Sequence, residues 1–331
     1  MQNLLLVVAC LLIFSCGDGP KSGHVPAIPP DSQDSLKTDA SSDETSLEKH
    51  TPPPSNSFPY LLDQPDATFS MPKKLMEISG LGLSDDGRYL LSVNDEEGKI
   101  FYLDKSDGEI REEIKFNGSG DYEGIEMVEG KIYVAKSNGN IYEVKKPGDK
   151  KQDTKTYRTD LNSANNIEGL AYDAVNGHLL LACKGKAGDG DQFKHHRAIY
   201  AFDLKQEKLL KAPVFTIDRD EIKKWADNGK DGITQKLVEF FEPGLADDAF
   251  APSAIAVHPT SRELYILSSV GKILVVLDAA GKITHIEPLD AAIHKQPEGI
   301  CFDRDGTLFI SNEGKGGNGK IYRFNQRPTG Q

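Results

Sequence analysis

A short phrase that returns at a fixed interval constrains this chain more than any other feature. Its central glycine, or the alanine that replaces it, falls at residues 80, 124, 169, 254 and 299. The spacing is therefore about 45 residues, with one longer step of about 85. A period of about 40 to 50 residues indicates a repeat protein, and a propeller when each unit consists of strands. The five copies are Glu123-Gly124, Glu168-Gly169, Glu298-Gly299, Ser79-Gly80 and Ser253-Ala254.

The second unit shows what each repeat contains. Its apolar, alternating runs cover residues 124–128, 131–136, 141–145 and 154–161. Asn138-Gly139 separates two of these runs, and such a dipeptide between strands is a strong hairpin signal. The pattern predicts a four-stranded antiparallel meander in each repeat, which is the blade of a β-propeller.

The step of about 85 residues contains one unit and an addition. Residues 218–251 lack strand alternation, while the segment Asp220 to Ala226 has helical character. Ile233, Leu237, Phe240 and Phe241 continue at helical spacing. We therefore predict an all-β, five-bladed propeller with a helical insertion between blades three and four. A six-bladed propeller with one degenerate blade is the alternative.

The last repeat stops one strand short. The chain ends soon after the run that finishes at Phe324, so this blade lacks its outer strand. The stretch 67–71 precedes the first repeat and is a suitable donor. Pairing the two ends of the domain would close the ring and remove an open sheet edge.

The N-terminal region predicts an anchored protein. Residues 1–15 have a short apolar core typical of a signal peptide, and Ile13-Phe14-Ser15-Cys16 resembles a bacterial lipobox, with Cys16 as the lipidated residue. An ordinary secretory signal is the alternative. Residues 16–65 are rich in Pro, Ser and Asp, which favours a disordered tether. The propeller is predicted at 66–326 and a tail at 327–331. The predicted location is the bacterial envelope, at the outer membrane or cell surface rather than the inner membrane, with the lipid anchor as membrane partner.

The net charge bears on the class of partner that is expected, and the positions of the cysteines bear on their role. The net charge is −12 and no basic stripe is present, so nucleic acid is not an expected partner. Cys183 and Cys301 fall inside apolar strands and are expected to be buried small hydrophobic residues.

The first residue of each inner strand lies at one mouth of the central channel. The repeat therefore places Ser79, Glu123, Glu168, Ser253 and Glu298 in one ring. The ends of the second strands meet the same mouth and add Asp95, Lys136, Lys184, Ser269, Asn312 and Glu313. The loops 185–197 and 313–319 open on this face, which marks it as the binding face.

Three glutamates that converge on an axis repel one another and need a cation, raised pKa values or basic neighbours. Oxygen ligands suit Ca²⁺, so Glu123, Glu168 and Glu298 are candidate metal ligands. An ion-pair network in which Lys136 and Lys184 neutralise the ring is the alternative, and the residues alone leave both open.

The motifs in order resemble the SdiA-regulated β-propeller family over about residues 68–325. The residues that carry this resemblance are Ile78-Ser79-Gly80-Leu81, Tyr122-Glu123-Gly124-Ile125, Ile167-Glu168-Gly169-Leu170, Gln296-Pro297-Glu298-Gly299, Ser268-Ser269 and Ser311-Asn312-Glu313. The resemblance implies five blades, a calcium site at the three glutamates and an envelope location. It implies no particular reaction.

These observations favour a binding module or scaffold that presents its channel face to a small ligand or a protein partner, with no catalytic residues assigned. The alternative function is a calcium-dependent hydrolase of phosphate esters or lactones, which rests on analogy with other propellers.

Overall fold

The computed structural model describes residues 58–228 and 250–327. Within them the chain forms five antiparallel sheets arranged as a five-bladed propeller, as the repeat predicts. Four sheets contain four strands, and the third carries a short additional one. The six-bladed alternative is wrong for this part of the chain.

The first strand to appear is β1 (Ala67–Ser70). Blade one contains β2 (Ile78–Leu83), β3 (Tyr89–Asn94), β4 (Lys99–Asp104) and β5 (Ile110–Lys115). Blade two contains β6 (Tyr122–Val128), β7 (Lys131–Lys136), β8 (Ile141–Lys145) and β9 (Asp153–Tyr157). Blade three contains β10 (Ile167–Asp173), β11 (His178–Cys183), β12 (His196–Asp203), β13 (Lys208–Leu209) and β14 (Phe215–Asp218).

The insertion begins with helix α1 (Arg219–Asn228). Blade four contains β15 (Ala254–Val257), β16 (Leu264–Ser268), β17 (Ile273–Leu277) and β18 (Ile283–Pro288). Blade five contains β19 (Pro297–Phe302), β20 (Leu308–Asn312) and β21 (Lys320–Phe324). The helix confirms the helical start of the insertion, whereas Ile233, Leu237, Phe240 and Phe241 lie outside the described residues.

The ring closes through the two ends of the domain. Strand β1 pairs antiparallel with β21, from Ala67 opposite Arg323 to Ser70 opposite Lys320. Blade five therefore gains the outer strand that its own repeat lacks, which confirms the predicted closure. An ion pair across the seam adds to it, because Nζ of Lys105 in blade one lies 2.9 Å from Oδ2 of Asp303 in blade five.

The glycine of the repeat phrase is explained by close packing of the inner strands. A Cβ added at Gly124 would lie 2.6 Å from Cβ of Leu170 in the next blade, and one at Gly80 would lie 3.0 Å from Cα of Gly124. Such contacts are shorter than packed carbon atoms tolerate. Glycine therefore allows neighbouring inner strands to approach and form the narrow channel.

The core consists of five apolar clusters, one in each gap between adjacent blades. Alternate residues of a strand point to opposite faces, so each blade contributes to two clusters. Cys183 packs between blades two and three and Cys301 between blades five and one, and both are buried free thiols. Their expected role as small hydrophobic residues is confirmed.

Packing begins earlier in the chain than the predicted boundary at residue 66. Tyr60 and Leu62 are each 2 % exposed and join the cluster between blades four and five. The Tyr60 hydroxyl donates to the carbonyl of Gly306 over 2.6 Å, and Nε2 of His294 donates to the carbonyl of Leu62 over 2.9 Å. Residues 58–65 thus belong to the propeller, because their apolar side chains outweigh the polar composition of the segment before them.

The predicted signal peptide, Cys16 and the tether up to residue 57 lie outside the described residues. Within the part of the chain that the structure covers, no helix has the length and apolar character needed to cross a bilayer.

Candidate binding site at the channel mouth

The three glutamates of the repeat phrase occupy β-bulges. The pairing of β6 with β7 passes from Tyr122 to Gly124 and leaves Glu123 without a partner in the ladder. The same irregularity leaves out Glu168 in β10 and Glu298 in β19. Strand β15, where Ala254 replaces the glycine, keeps a continuous register. Because a bulge re-aims the extra residue, it sets the direction of each glutamate side chain at the mouth.

Glu123 accepts a hydrogen bond from a predicted neighbour. Oγ of Ser79 donates to Oε2 of Glu123 over 2.9 Å, and so joins blades one and two. Burial raises the pKa of the Glu123 carboxyl, and the negative charge of Glu168 and a hydrogen bond with Asp121 raise it further. A carboxyl in this state holds its proton more firmly than an ordinary glutamate, so it gains from any positive charge that enters the mouth.

Glu168 has the closest basic partner. Its side chain is 9 % exposed, and its Oε2 lies 3.2 Å from Nζ of Lys184. Nδ2 of Asn166 donates to Oε1 over 2.7 Å. Burial raises the pKa of Glu168, although Lys184 and Asn166 act against that rise. Burial lowers the pKa of Lys184, but the charges of Glu168, Glu298 and Glu123 raise it more. Lys184 therefore remains charged among the three glutamates.

Glu298 is buried and has no comparable ion pair with another residue that the structure describes. It is 5 % exposed, and burial with the charges of Glu168 and Glu313 raises its pKa to about 8. The Lys184 charge and a hydrogen bond from Ser269 limit the rise of this pKa. The predicted ring member Ser253 has a structural contact instead, because its Oγ donates to the carbonyl of Pro297 over 2.7 Å.

Two further acids surround this centre. Burial and the nearby charge of Glu77 raise the pKa of Asp95 to about 6. Among the residues that the structure describes, none forms a hydrogen bond with Oδ1 of Asp95. Burial and the charge of Asp95 raise the pKa of Glu313 to about 7. The mouth thus combines several carboxyls whose charged forms are disfavoured.

Lys136 does not take the place that the ion-pair alternative gave it. Its Nζ lies over the ring of Tyr122, 5.9 Å from the centroid. This contact is a cation–π interaction beside the mouth. Of the two predicted lysines, Lys184 is therefore the one with an ion pair to the glutamate ring.

The donor chemistry of the mouth fits an oxygen-preferring cation, since carboxylates are the main ligands of Ca²⁺. Across residues 58–228 and 250–327, however, no three histidine, cysteine, aspartate or glutamate side chains are grouped so as to hold a metal ion. The Lys184 ammonium lies beside Glu168 instead. Glu123, Glu168 and Glu298 would hold a metal only after this lysine moved.

Two participants were missed by the sequence reasoning. Asp121 hydrogen-bonds Glu123 from the loop before β6, and Asn166 holds Glu168 from the position before β10. Asn166 has a φ of 49°, a conformation that asparagine tolerates better than most residues. The sequence signal for Asn166 was its position two residues before Glu168, a glutamate of the repeat phrase.

The loop 185–197 contributes a separate cavity of about 440 Å³, lined by residues such as Asp189, Phe193 and His196. A short 3₁₀ helix at Asp191–Phe193 shapes this loop. The position of the cavity next to Lys184 in sequence agrees with a binding face on this side of the propeller.

The fold and this mouth define a five-bladed β-propeller with an acidic channel entrance. The SdiA-regulated family matches residues 69–187 and 242–316, more than half of the chain. The protein therefore belongs to the SdiA-regulated family. No curated protein matches it.

Several solved structures are similar to this chain at low sequence identity. Glutaminyl cyclase from Myxococcus xanthus is 11 % identical with a TM-score of 0.50, and the match covers 80 % of this chain and 96 % of that one. A luciferin-regenerating enzyme is 12 % identical with a TM-score of 0.46, covering 81 % and 98 %. Virginiamycin B lyase from Staphylococcus aureus is 13 % identical with a TM-score of 0.40, covering 77 % and 68 %. At these identities the likeness concerns the fold alone.

Proposed function

We propose that this protein is a binding module whose channel mouth takes up a cation, with Ca²⁺ as the leading candidate. The observation that carries the proposal is the excess of carboxyl groups over ammonium groups at the mouth. Glu123, Glu168 and Glu298 all have raised pKa values, and among the described residues the Lys184 ammonium forms an ion pair with Glu168.

A bound cation would relieve this imbalance. Each buried carboxyl must otherwise hold a proton or remain charged at a cost, and a cation close to several oxygens favours their charged forms together. Ca²⁺ accepts six to eight oxygen ligands in a flexible geometry, which suits a ring contributed by different blades. Such an ion competes with the Lys184 ammonium for Glu168. In this proposal Ca²⁺ supplies positive charge for a ligand, and no reaction is assigned to it.

In this proposal a small ligand or another protein binds at the mouth. The mouth is bordered by the loops 185–197 and 313–319, which extend beyond the blades. Loops carried on a rigid scaffold are the usual place for recognition. The acidic interior favours a partner that brings a cationic group or binds through the metal ion.

We further propose that the module is lipid-anchored through Cys16 in the bacterial envelope. The support is the lipobox-like sequence Ile13-Phe14-Ser15-Cys16 and the Pro- and Ser-rich composition of residues 16–57. Stable membrane attachment needs more than a single acyl chain, so we expect the multiply acylated form.

Calorimetric titration of metal-free protein with CaCl₂, combined with thermal unfolding, tests the cation site. We expect binding heat, a higher melting temperature in calcium and reversal by a chelator, because a ligand of the folded state stabilises it by mass action. Glu168→Gln should weaken the response, while Glu109→Gln on an exposed turn should leave it unchanged. No heat and no thermal shift at millimolar calcium would exclude the calcium assignment.

A further inference from the structure

The repeat places an asparagine at the same point in two adjacent blades. Asn94 ends β3 and Asn312 ends β20, and both strands are the second of their blade. Asn94 lies opposite Ile78 at the start of the inner strand β2, and Asn312 lies opposite Pro297 at the start of β19. The two side chains are therefore equivalent in the repeat and both stand at the mouth face.

The side-chain amides of Asn94 and Asn312 differ in their hydrogen bonds. Nδ2 of Asn94 donates to the carbonyl of Lys74 over 3.0 Å, and its Oδ1 accepts from the backbone N–H of Glu97 over 2.8 Å. Asn312 is 2 % exposed, and within the described chain neither its Nδ2 nor its Oδ1 has a hydrogen-bond partner. Buried polar groups are almost always paired, so this amide is open to a partner that the described residues do not supply.

Asn312 lines a cavity of about 170 Å³ between the loop 313–319 and the connection that precedes β19. Lys295 and Lys320 are exposed and line the same cavity, and Ile293 and Tyr322 form its apolar wall. The cavity thus has the Asn312 amide inside, two ammonium groups at its rim and one carboxyl, that of Glu313, whose raised pKa of about 7 reduces its charge.

We propose that this cavity binds the C-terminal end of a peptide, with Asn312 recognising the last peptide amide and Lys295 and Lys320 attracting the carboxylate. A side-chain amide has an NH2 group that donates and a carbonyl oxygen that accepts in one plane, which complements a peptide group. A carboxylate alone would leave Oδ1 of Asn312 without a donor. The lysines supply the charge that a free C-terminus requires.

This inference goes beyond the cation site and does not depend on it. The cavity contains Glu313 at its edge but none of the three ring glutamates. A failure of calcium binding would leave the peptide site standing, and a failure of peptide binding would leave the cation site standing.

The binding test uses the full chain and three small probes followed by ligand-observed NMR. N-acetylglycine contains both an amide and a carboxylate, whereas N-methylacetamide and acetate each contain one of them. We expect N-acetylglycine to bind more tightly than either fragment. Asn312→Leu should weaken N-acetylglycine by about tenfold, because two hydrogen bonds are lost. Asn94→Leu should leave its affinity unchanged.

A lysine variant separates the two parts of the site. Lys295→Ala combined with Lys320→Ala should weaken N-acetylglycine while leaving N-methylacetamide unaffected, since only the first carries a charge. Both lysines are exposed, so this variant keeps the fold. Equal affinity of wild type and the lysine variant for N-acetylglycine would overturn the assignment of the carboxylate.

Thermal unfolding without any probe supplies an independent readout. Replacing an amide that has no partner with leucine of similar size removes a destabilising group, so Asn312→Leu should melt at or above the wild-type temperature. Asn94→Leu removes two hydrogen bonds and should melt lower. If Asn312→Leu lost as much stability as Asn94→Leu, the amide would already be satisfied in the free protein. That result, or the absence of N-acetylglycine binding, would overturn the proposal.

Discussion

Nζ of Lys184 lies 3.2 Å from Oε2 of Glu168, at the point where three acidic repeats of the propeller converge. Lys184 follows the last residue of β11, so it reaches the mouth from the second strand of the blade that also contributes Glu168. One blade therefore supplies both the acid and the base. The blades of Glu123 and Glu298 supply carboxyls whose raised pKa values favour their protonated forms, and whose charges, when present, raise the pKa of Lys184.

Lys184→Met should destabilise the propeller by about 2 kcal/mol in the absence of divalent ions. Breaking a fully buried ion pair costs roughly 3–5 kcal/mol, and the effect is smaller here because the lysine side chain is 30 % exposed. Chemical denaturation with the exposed Lys186→Met as control measures this difference. If the mouth binds Ca²⁺, the Lys184→Met variant should also gain more stability from calcium than wild type does, because its competitor is gone. An unchanged unfolding midpoint would show that Lys184 does not balance the ring.

Stability should fall as pH rises from about 4.5 to about 8. The Glu298 carboxyl has a pKa of about 8 in the folded protein against an ordinary value of 4.5, so in this range the folded state keeps a proton that the unfolded state has lost. Folding then takes up protons, and raising the pH opposes it. Glu123 shifts in the same direction and adds to the slope.

Glu298→Gln should flatten this pH dependence and raise the melting temperature at pH 8. The expected gain is at least about 1 kcal/mol, or ~2–4 °C for a domain of this size. Melting curves from pH 5 to 8 measure it, with the exposed Glu109→Gln as the matched control. A parallel slope for wild type and Glu298→Gln would mean that Glu298 is not the group that titrates.

Much of the fold follows from the sequence, because repeat spacing and strand alternation are local signals. The glycines at 80, 124, 169 and 299 and the alanine at 254 give the period, and the missing outer strand after Phe324 indicates the closure. The predicted start of the propeller at residue 66 lies too late in the chain. The prediction followed the polar composition of the segment and overlooked a short apolar run within it. Phe58-Pro59-Tyr60-Leu61-Leu62 held the signal for packing that the structure shows.

The contacts of the site residues could be predicted less well from the sequence, because the partner of a side chain depends on its three-dimensional surroundings. Lys136 is the last residue of β7, whereas Lys184 comes one position after the end of β11. Lys136 covers the Tyr122 ring, and Lys184 pairs with Glu168. Asn94 and Asn312 differ in the same way, because only the first meets the backbone of Lys74 and Glu97. Spacing gives the position of a residue in the ring but not the partner of its side chain.

Gly124→Ala should destabilise the domain by about 1–3 kcal/mol. The new methyl group would lie 2.6 Å from Cβ of Leu170 and 2.8 Å from its backbone nitrogen, so two inner strands would have to separate. Gly118→Ala is the control, because a Cβ there meets no atom within 4 Å. Urea unfolding of both variants gives the comparison. Equal midpoints would show that the inner strands adjust without cost.

Cys16→Ala should release the protein from membranes into the soluble fraction of cells. The lipid would be attached at that residue, and the described domain contains no helix able to span a bilayer. Fractionation followed by immunoblotting measures the shift, with Cys10→Ala inside the apolar core as the control. Retention of the Cys16→Ala variant in the membrane fraction would count against lipid anchoring at this cysteine.

Three truncations should separate tether, packed segment and closing strand. Removal of residues 17–57 should leave the melting temperature nearly unchanged, because a stretch rich in Pro, Ser and Asp has little apolar surface to bury. Extending the deletion to residue 65 should lower the melting temperature, because the burial of Tyr60 and Leu62 is lost. Burial of one large apolar side chain contributes about 1.5–3 kcal/mol. Extending it to residue 71 should lower it much further, because β21 then has no partner for its outer edge. Calorimetry on the three proteins measures the order, and equal melting temperatures for the first and last would mean that β1 does not close the ring.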